Sequence, residues 1–147
     1  MAASDEPLPD MTPRNADVIE EFRLHQGRVG GVMEGWPLVL ITHTGRHTGR
    51  RITTPLVYSD CGGHIVVVAS DSGADVDPSW FLNIQADPRI HVERGVSEYD
   101  TVARIAQGAE REALYASHAA QHPDFLVLME RTDRVFPVVV VSPGGTP

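Results

Sequence analysis

Hydrophobic and polar positions change their period along the chain, and the changes mark out its elements. From Asn15 to about His25, Val18, Ile19 and Phe22 recur on one helical face; Asn15 is a residue of N-cap type, and Asp17, Glu20 and Glu21 suit the positive helix start. Gly27 stands near the expected stop. Trp36 to Thr42, Thr53 to Ser59 and His64 to Ser70 are short runs rich in apolar and β-branched residues, and they predict adjacent antiparallel strands. Asp60-Cys61-Gly62-Gly63 is the expected turn between the second and third. Asp77 as N-cap with Pro78 at the first helical position predicts a short helix to Ala86, its apolar side formed by Trp80, Phe81 and Ile84.

Alternation resumes over Arg89 to Arg94 and Glu98 to Ala106, a predicted hairpin around Gly95-Val96-Ser97. Residues 109 to 119 read as helix, Pro123 to about Arg131 as a second helical segment, and Val135 to Val141 as a closing, nearly continuous apolar strand. Six strands without a regular strand–helix alternation predict an α+β fold: a six-stranded antiparallel barrel with peripheral helices. Three Pro and several acids in residues 1–14 predict a flexible arm, Pro143 to Pro147 a flexible tail, and residues 15–142 one domain, which suits a chain of 147 residues.

Composition narrows the partners. Twelve basic against twenty acidic residues give a net charge of −8, which disfavours nucleic acid and anionic membrane. Every basic residue is Arg. The single cysteine, Cys61, cannot form an intramolecular disulfide, so a reducing cytoplasm is the expected location. The acidic N-terminus does not read as a signal peptide, and no run reaches 18 apolar residues, so no integral membrane segment is expected. The sequence decides neither a peripheral membrane contact nor the oligomeric state.

The most unusual segment is Thr44-Gly45-Arg46-His47-Thr48-Gly49-Arg50-Arg51, a doubled Thr-Gly-Arg phrase between two predicted strands. Gly lets backbone N–H groups turn inward, Thr adds hydroxyls and Arg donates in pairs, all of which suit an anionic phosphate; a strand connection with solvated Arg weighs equally. Ser70 to Pro78, small and polar before a helix start, is a second anion candidate, although its aspartates favour a capped surface loop. His118 and His122 have the i,i+4 spacing of a metal pair, but with no third ligand nearby a helix-surface pair is preferred. Cys61 with His64 lacks an orienting acid and is not expected to be nucleophilic. His43 and His47 flank the Thr-Gly-Arg phrase; an imidazole titrates near neutral pH, and a solvated strand end explains both equally well.

These segments together resemble the deazaflavin-dependent nitroreductase family. The likeness covers Asn15 to Val141 and rests on Ile19-Glu20-Glu21-Phe22-Arg23, Gly27-Arg28-Val29-Gly30-Gly31, Pro37-Leu38-Val39-Leu40, the Thr-Gly-Arg phrase and Thr53-Thr54-Pro55-Leu56-Val57-Tyr58. Val67-Val68-Ala69-Ser70, Gly73-Ala74, Pro78-Ser79-Trp80-Phe81 with Asn83, Ala86-Asp87-Pro88, Arg131-Thr132-Asp133-Arg134 and Pro137-Val138-Val139-Val140 complete it. The resemblance implies a split β-barrel that binds coenzyme F420, whose reduced ring delivers hydride to a small apolar quinone, activated alkene or nitro compound. It implies that Arg46, His47 and Thr48 face the phosphate and tail. By the same carry-over, Thr53, Thr54, Pro55, Leu56 and Val57 line the deazaflavin with their backbone, and Gly73, Ala74, Asp75 and Val76 border the groove. Ile84, Gln85, Ala86, Asp87 and Pro88 close it, and Phe125 and Leu128 form a substrate wall.

The departures fall where the tail's charge should sit. The family pattern has Lys at His47, Arg at Ile52 and Lys at Val76, with Pro and His at Asp75 and Asp77, and Tyr is common at Phe125 and Leu128. At about 1 kcal/mol or more per lost charged contact, three losses weaken tail binding by about a hundredfold. Arg46, Arg50 and Arg51 remain to offset them. The alternative to a reductase is therefore a non-catalytic protein that holds FMN, FAD, a fatty acid or a similar apolar carboxylate.

Overall fold

The computed structural model describes residues 15–30, 35–69, 77–122 and 135–142. The predicted arm, the tail, the helical segment from Pro123 to Arg131 and most of the Ser70 to Pro78 loop lie outside them. The elements are α1 (Asn15–Leu24), β1 (Leu38–Thr44), β2 (Arg51–Val57), β3 (Ser59–Cys61), β4 (His64–Val68), α2 (Ser79–Ala86), β5 (Arg89–Arg94), β6 (Ser97–Ile105), α3 (Gly108–Gln121) and β7 (Val138–Val141). They form an α+β fold in which all strands pair antiparallel in one curled sheet, ordered β2-β1-β5-β6-β7-β4-β3.

Among the described residues, seven strands replace the predicted six because the run from Thr53 to Ser59 turns a corner at Tyr58. Before the corner, β2 pairs with β1; after it, β3 pairs with β4. Tyr58 N–H reaches Pro37 O at 3.1 Å, its hydroxyl accepts from Arg94 Nε at 3.2 Å, and the Arg94 guanidinium lies 5.0 Å from its ring centre. These contacts bend the chain at a place where its alternation continues without a break. Long β6 makes the matching corner: residues up to Val102 pair with β5, and Ala103 to Ile105 pair with β7. The two edges β2 and β3 are thus consecutive in sequence, joined through Tyr58.

Alternation decides what each face buries. Inward residues Val39, Ile41, Ile65, Val67, Val92, Val139 and Val141 meet Trp80, Phe81 and Ile84 of α2 in the main core. Outward Leu38 and Leu40 pack beneath Val18 and Phe22 of α1. Outward Val66, Val138 and Val140 form a third cluster with Phe136, against which Leu114 and Tyr115 of α3 pack. β4 and β7 are buried on both faces, which is why Val138–Val141 reads as an unbroken apolar run. The β3–β4 turn is tighter than predicted: Cys61 pairs with His64 across Gly62 and Gly63, whose φ angles of 64° and 90° favour glycine at both positions. At α2, Pro78 is the N-cap rather than the first helical residue, so the start moves one position.

Candidate functional site

The Thr-Gly-Arg phrase is the turn from β1 into β2. Gly45 N–H bonds Arg50 O at 2.7 Å and Gly49 N–H bonds Gly45 O at 2.8 Å, while Thr48 Oγ1 accepts from Arg50 N–H at 3.2 Å. Gly45 is buried, and a Cβ there would meet Thr48 Oγ1 at 3.0 Å and Ile52 Cδ1 at 3.3 Å. Ile52, where the family pattern has Arg, therefore packs its apolar end beneath the turn. His47 and Arg50 are exposed, and Arg51 donates to Thr44 Oγ1 at 2.8 Å.

Arg46 is tied to α2. Its backbone N–H and its Nη1 both donate to Asn83 Oδ1, at 3.1 and 2.7 Å, and Nη1 also approaches Ser79 O at 3.4 Å. Asn83 Nδ2 lies 3.1 Å from His43 Nδ1, and His43 Nε2 lies 2.9 Å from Thr54 Oγ1. Asn83 and His43 are only 2% and 1% exposed, so a buried polar row runs from the turn to β2. Of the two readings of His43, the solvated strand end is thereby set aside: Val39, Ile41 and His43 share the inward face of β1, and Asn83 caps the row. The candidate residues above omitted Asn83. Its signal was a polar side chain on the apolar face shared by Trp80 and Ile84.

β2 carries Thr53, Thr54, Pro55, Leu56 and Val57, all half-buried. Leu56 packs toward the main core and Val57 toward α1, while Thr53 Oγ1 lies 2.8 Å from Thr42 Oγ1. As an edge strand β2 pairs only with β1, and it tolerates Pro55, which lacks a donor. Ile84 is 2% exposed in the main core, so Gln85, Ala86, Asp87 and Pro88 are the members of their set that reach the surface. Arg89, bonded to Asp87 through side chain and backbone, holds that carboxyl down at about 2. Gly73, Ala74, Asp75, Val76, Phe125 and Leu128 lie outside the described residues.

A groove of about 730 Å³ beside β2 is lined by Thr42, Thr53, His91, Glu93 and Glu98, among others. Its charges are already matched: Arg23 bonds Glu93, and His91, held above its ordinary value by Asp100 and Glu98, bridges both acids. With carboxylates on its floor it does not suit an anion, and the arginine-bearing turn does.

On the far side, His118 is 4% exposed rather than on the helix surface as expected. Ser59 Oγ lies 3.0 Å from its Nδ1, and His122 Nε2 lies 2.9 Å from Tyr58 O. Burial, with the neighbouring His122, lowers the His118 imidazole to about 4. No group of three metal-type ligands occurs among the described residues.

The described residues thus form a curled antiparallel sheet with a glycine-containing turn that carries three arginines at the end of an edge strand. The family pattern of F420H(2)-dependent quinone reductases matches residues 15–143, and the chain belongs to that family. It is accordingly an oxidoreductase that uses reduced F420 to reduce a quinone, and not the non-catalytic binder kept as the alternative. Among its relatives, the F420H(2)-dependent quinone reductase Rv1261c of Mycobacterium tuberculosis strain H37Rv is 28% identical over 128 residues, 82% of this chain and 84% of that one. A solved structure described as an F420-H2 dependent reductase (FDR-A) is 34% identical, with a TM-score of 0.66 over 72% of this chain and 94% of that one. Another, described as a domain-swapped dimer, is 32% identical with a TM-score of 0.68, over 86% and 96%. No helix among the described residues is long and apolar enough to cross a membrane.

Proposed function

We propose that the anionic tail of F420 binds at the β1–β2 turn and its ring lies along β2, in a barrel of the split type formed by residues 15–142. The observation that carries this reading is that Arg46, Arg50 and Arg51 all lie in or directly beside one turn, next to a strand that pairs on one side only among the described residues. The donor chemistry fits: guanidinium groups are ligands for phosphate and carboxylate.

Bound there, reduced F420 supplies a hydride to a two-electron acceptor. The chain's own part is to bind and orient. Arg46, His47 and Thr48 hold the tail, with Arg50 and Arg51 offsetting the cations missing at His47, Ile52 and Val76. The backbone of Thr53 to Val57 aligns the ring, Gly73 to Val76 border it, and Gln85 to Pro88 close the end. Phe125 and Leu128 form an apolar wall for the quinone and help keep water from the hydride. No side chain is assigned as general acid; solvent supplies the proton that completes the hydroquinone. A cytoplasmic location belongs to the same reading and suits the free thiol of Cys61.

Fluorescence titration with oxidised F420, beside FMN and FAD at fixed salt, tests the assignment. Selective binding of F420 at micromolar concentration or below is expected. Arg46→Ala should raise Kd at least tenfold, from the roughly 1.5–3 kcal/mol of a charged hydrogen bond. An unchanged constant removes Arg46 from the site.

A further inference from the structure

The polar row from exposed Arg46 through buried Asn83 and His43 to half-buried Thr54 has a direction, and the direction follows from which atoms can donate. A backbone N–H and a guanidinium only donate, so the Asn83 atom that meets both groups of Arg46 is the carboxamide oxygen. The amide nitrogen is therefore the atom turned to His43 Nδ1, and it too only donates. His43 Nδ1 must accept, its proton sits on Nε2, and Nε2–H donates to Thr54 Oγ1. Thr54 spends an oxygen lone pair on His43 and keeps its own O–H for an acceptor outside the row.

Each link depends on the one before it. Replacing the Asn83 amide nitrogen by an acceptor would oblige Nδ1 to carry a proton. Removing the Asn83 oxygen would release the Arg46 backbone N–H and leave its Nη1 only the longer contact with Ser79 O. Fixing that long side chain before a ligand arrives lowers the ordering cost at binding.

We infer that Asn83 and His43 are positioning residues: they hold Arg46 ready for the anionic end of the cofactor and set the polarity of the row so that Thr54 offers its hydroxyl as a donor. The aiming role rests on the cofactor placement proposed above; the polarity does not.

Two measurements separate these parts. In a double-mutant cycle read by oxidised F420 titration, Asn83→Ala should weaken binding about tenfold in the parent, but less than twofold in an Arg46→Ala background. If it costs its full factor in both backgrounds, the aiming role is overturned while the cofactor placement stands. If Arg46→Ala alone leaves Kd unchanged, the placement fails and the aiming role falls with it. The polarity is read by long-range proton–nitrogen NMR of the 15N-labelled parent, with the His43 signals assigned by their loss in His43→Gln. Nδ1 should carry no proton in the parent and should gain one in Asn83→Asp, whose carboxylate still accepts from Arg46. A proton on Nδ1 in the parent overturns the polarity without any need for the variant to fold.

Discussion

The two edges of the sheet lie next to one another in sequence and are treated in opposite ways. At β3, the edge backbone is closed by side chains of α3 and the residue beyond it. Gln121 Oε1 accepts from Asp60 N–H at 3.3 Å, and Gln121 Nε2 donates to Asp60 O at 3.1 Å, so one carboxamide does the work of a missing neighbour strand. His122 bonds Tyr58 O, and His118 bonds Ser59 from within. At β2, by contrast, no described hydrogen bond reaches the outer backbone groups. Closing one edge consumes its polar groups for stability; under the proposed placement, the groups of the other, unpaired among the described residues, serve the ligand. That contrast, together with the arginine turn at the open end, locates the proposed site better than groove size does.

The closed edge should show itself most strongly in acid. The folded His118 imidazole takes a proton only near pH 4, whereas the unfolded one does so near its ordinary 6.5. Between those values the unfolded state binds more protons at this residue, so the contribution of His118 to stability is complete above pH 6.5 and falls as pH drops toward 4. The loss is on the order of 3 kcal/mol. Urea unfolding across this window should reveal it, and His118→Gln, which can still meet Ser59, should flatten the slope. An equally steep slope in the variant would assign the acid loss to other groups.

Next in size is Gln121→Ala, which leaves the Asp60 backbone to water. A loss of about 1 kcal/mol is expected for two exposed bonds, partly replaced by solvent. Cofactor affinity should not change, because the turn bearing Arg46 belongs to the other edge. A parallel loss of affinity would show that the two edges are mechanically coupled.

What the sequence disclosed follows the range of the interactions concerned. Helix and strand periods are local, and α1, β1, β4, β5, β6 and β7 stand close to where alternation and glycine turns put them. The corner at Tyr58 was hidden because its cause, Arg94, is 36 residues away and leaves no mark on the alternation of Thr53 to Ser59. His118 looked exposed for the same reason: its burial comes from the packing of α3 on β3 and β4, where Ser59, 59 residues distant, meets its Nδ1. Composition alone marked the Thr-Gly-Arg phrase as unusual, with an anion site and a solvated strand connection weighing equally. That one arm of Arg46 turns inward depends on Asn83, 37 residues on, and no local pattern announces it.

The smallest expected effect asks whether the open edge alone responds to charge. His47 is exposed on the turn, where the family pattern has Lys. His47→Lys places a full cation there, and a screened contact of about 0.5–1 kcal/mol should tighten F420 binding severalfold and steepen its salt dependence. Ala116→Lys adds a cation on the exposed face of α3, which packs on the closed edge, and it should leave the constant unchanged. Equal tightening by both would mean that F420 answers to net charge, −8 in the parent, rather than to the turn. Tightening by His47→Lys alone would place the tail at the β1–β2 turn, since a screened charge acts over little more than a Debye length of about 10 Å.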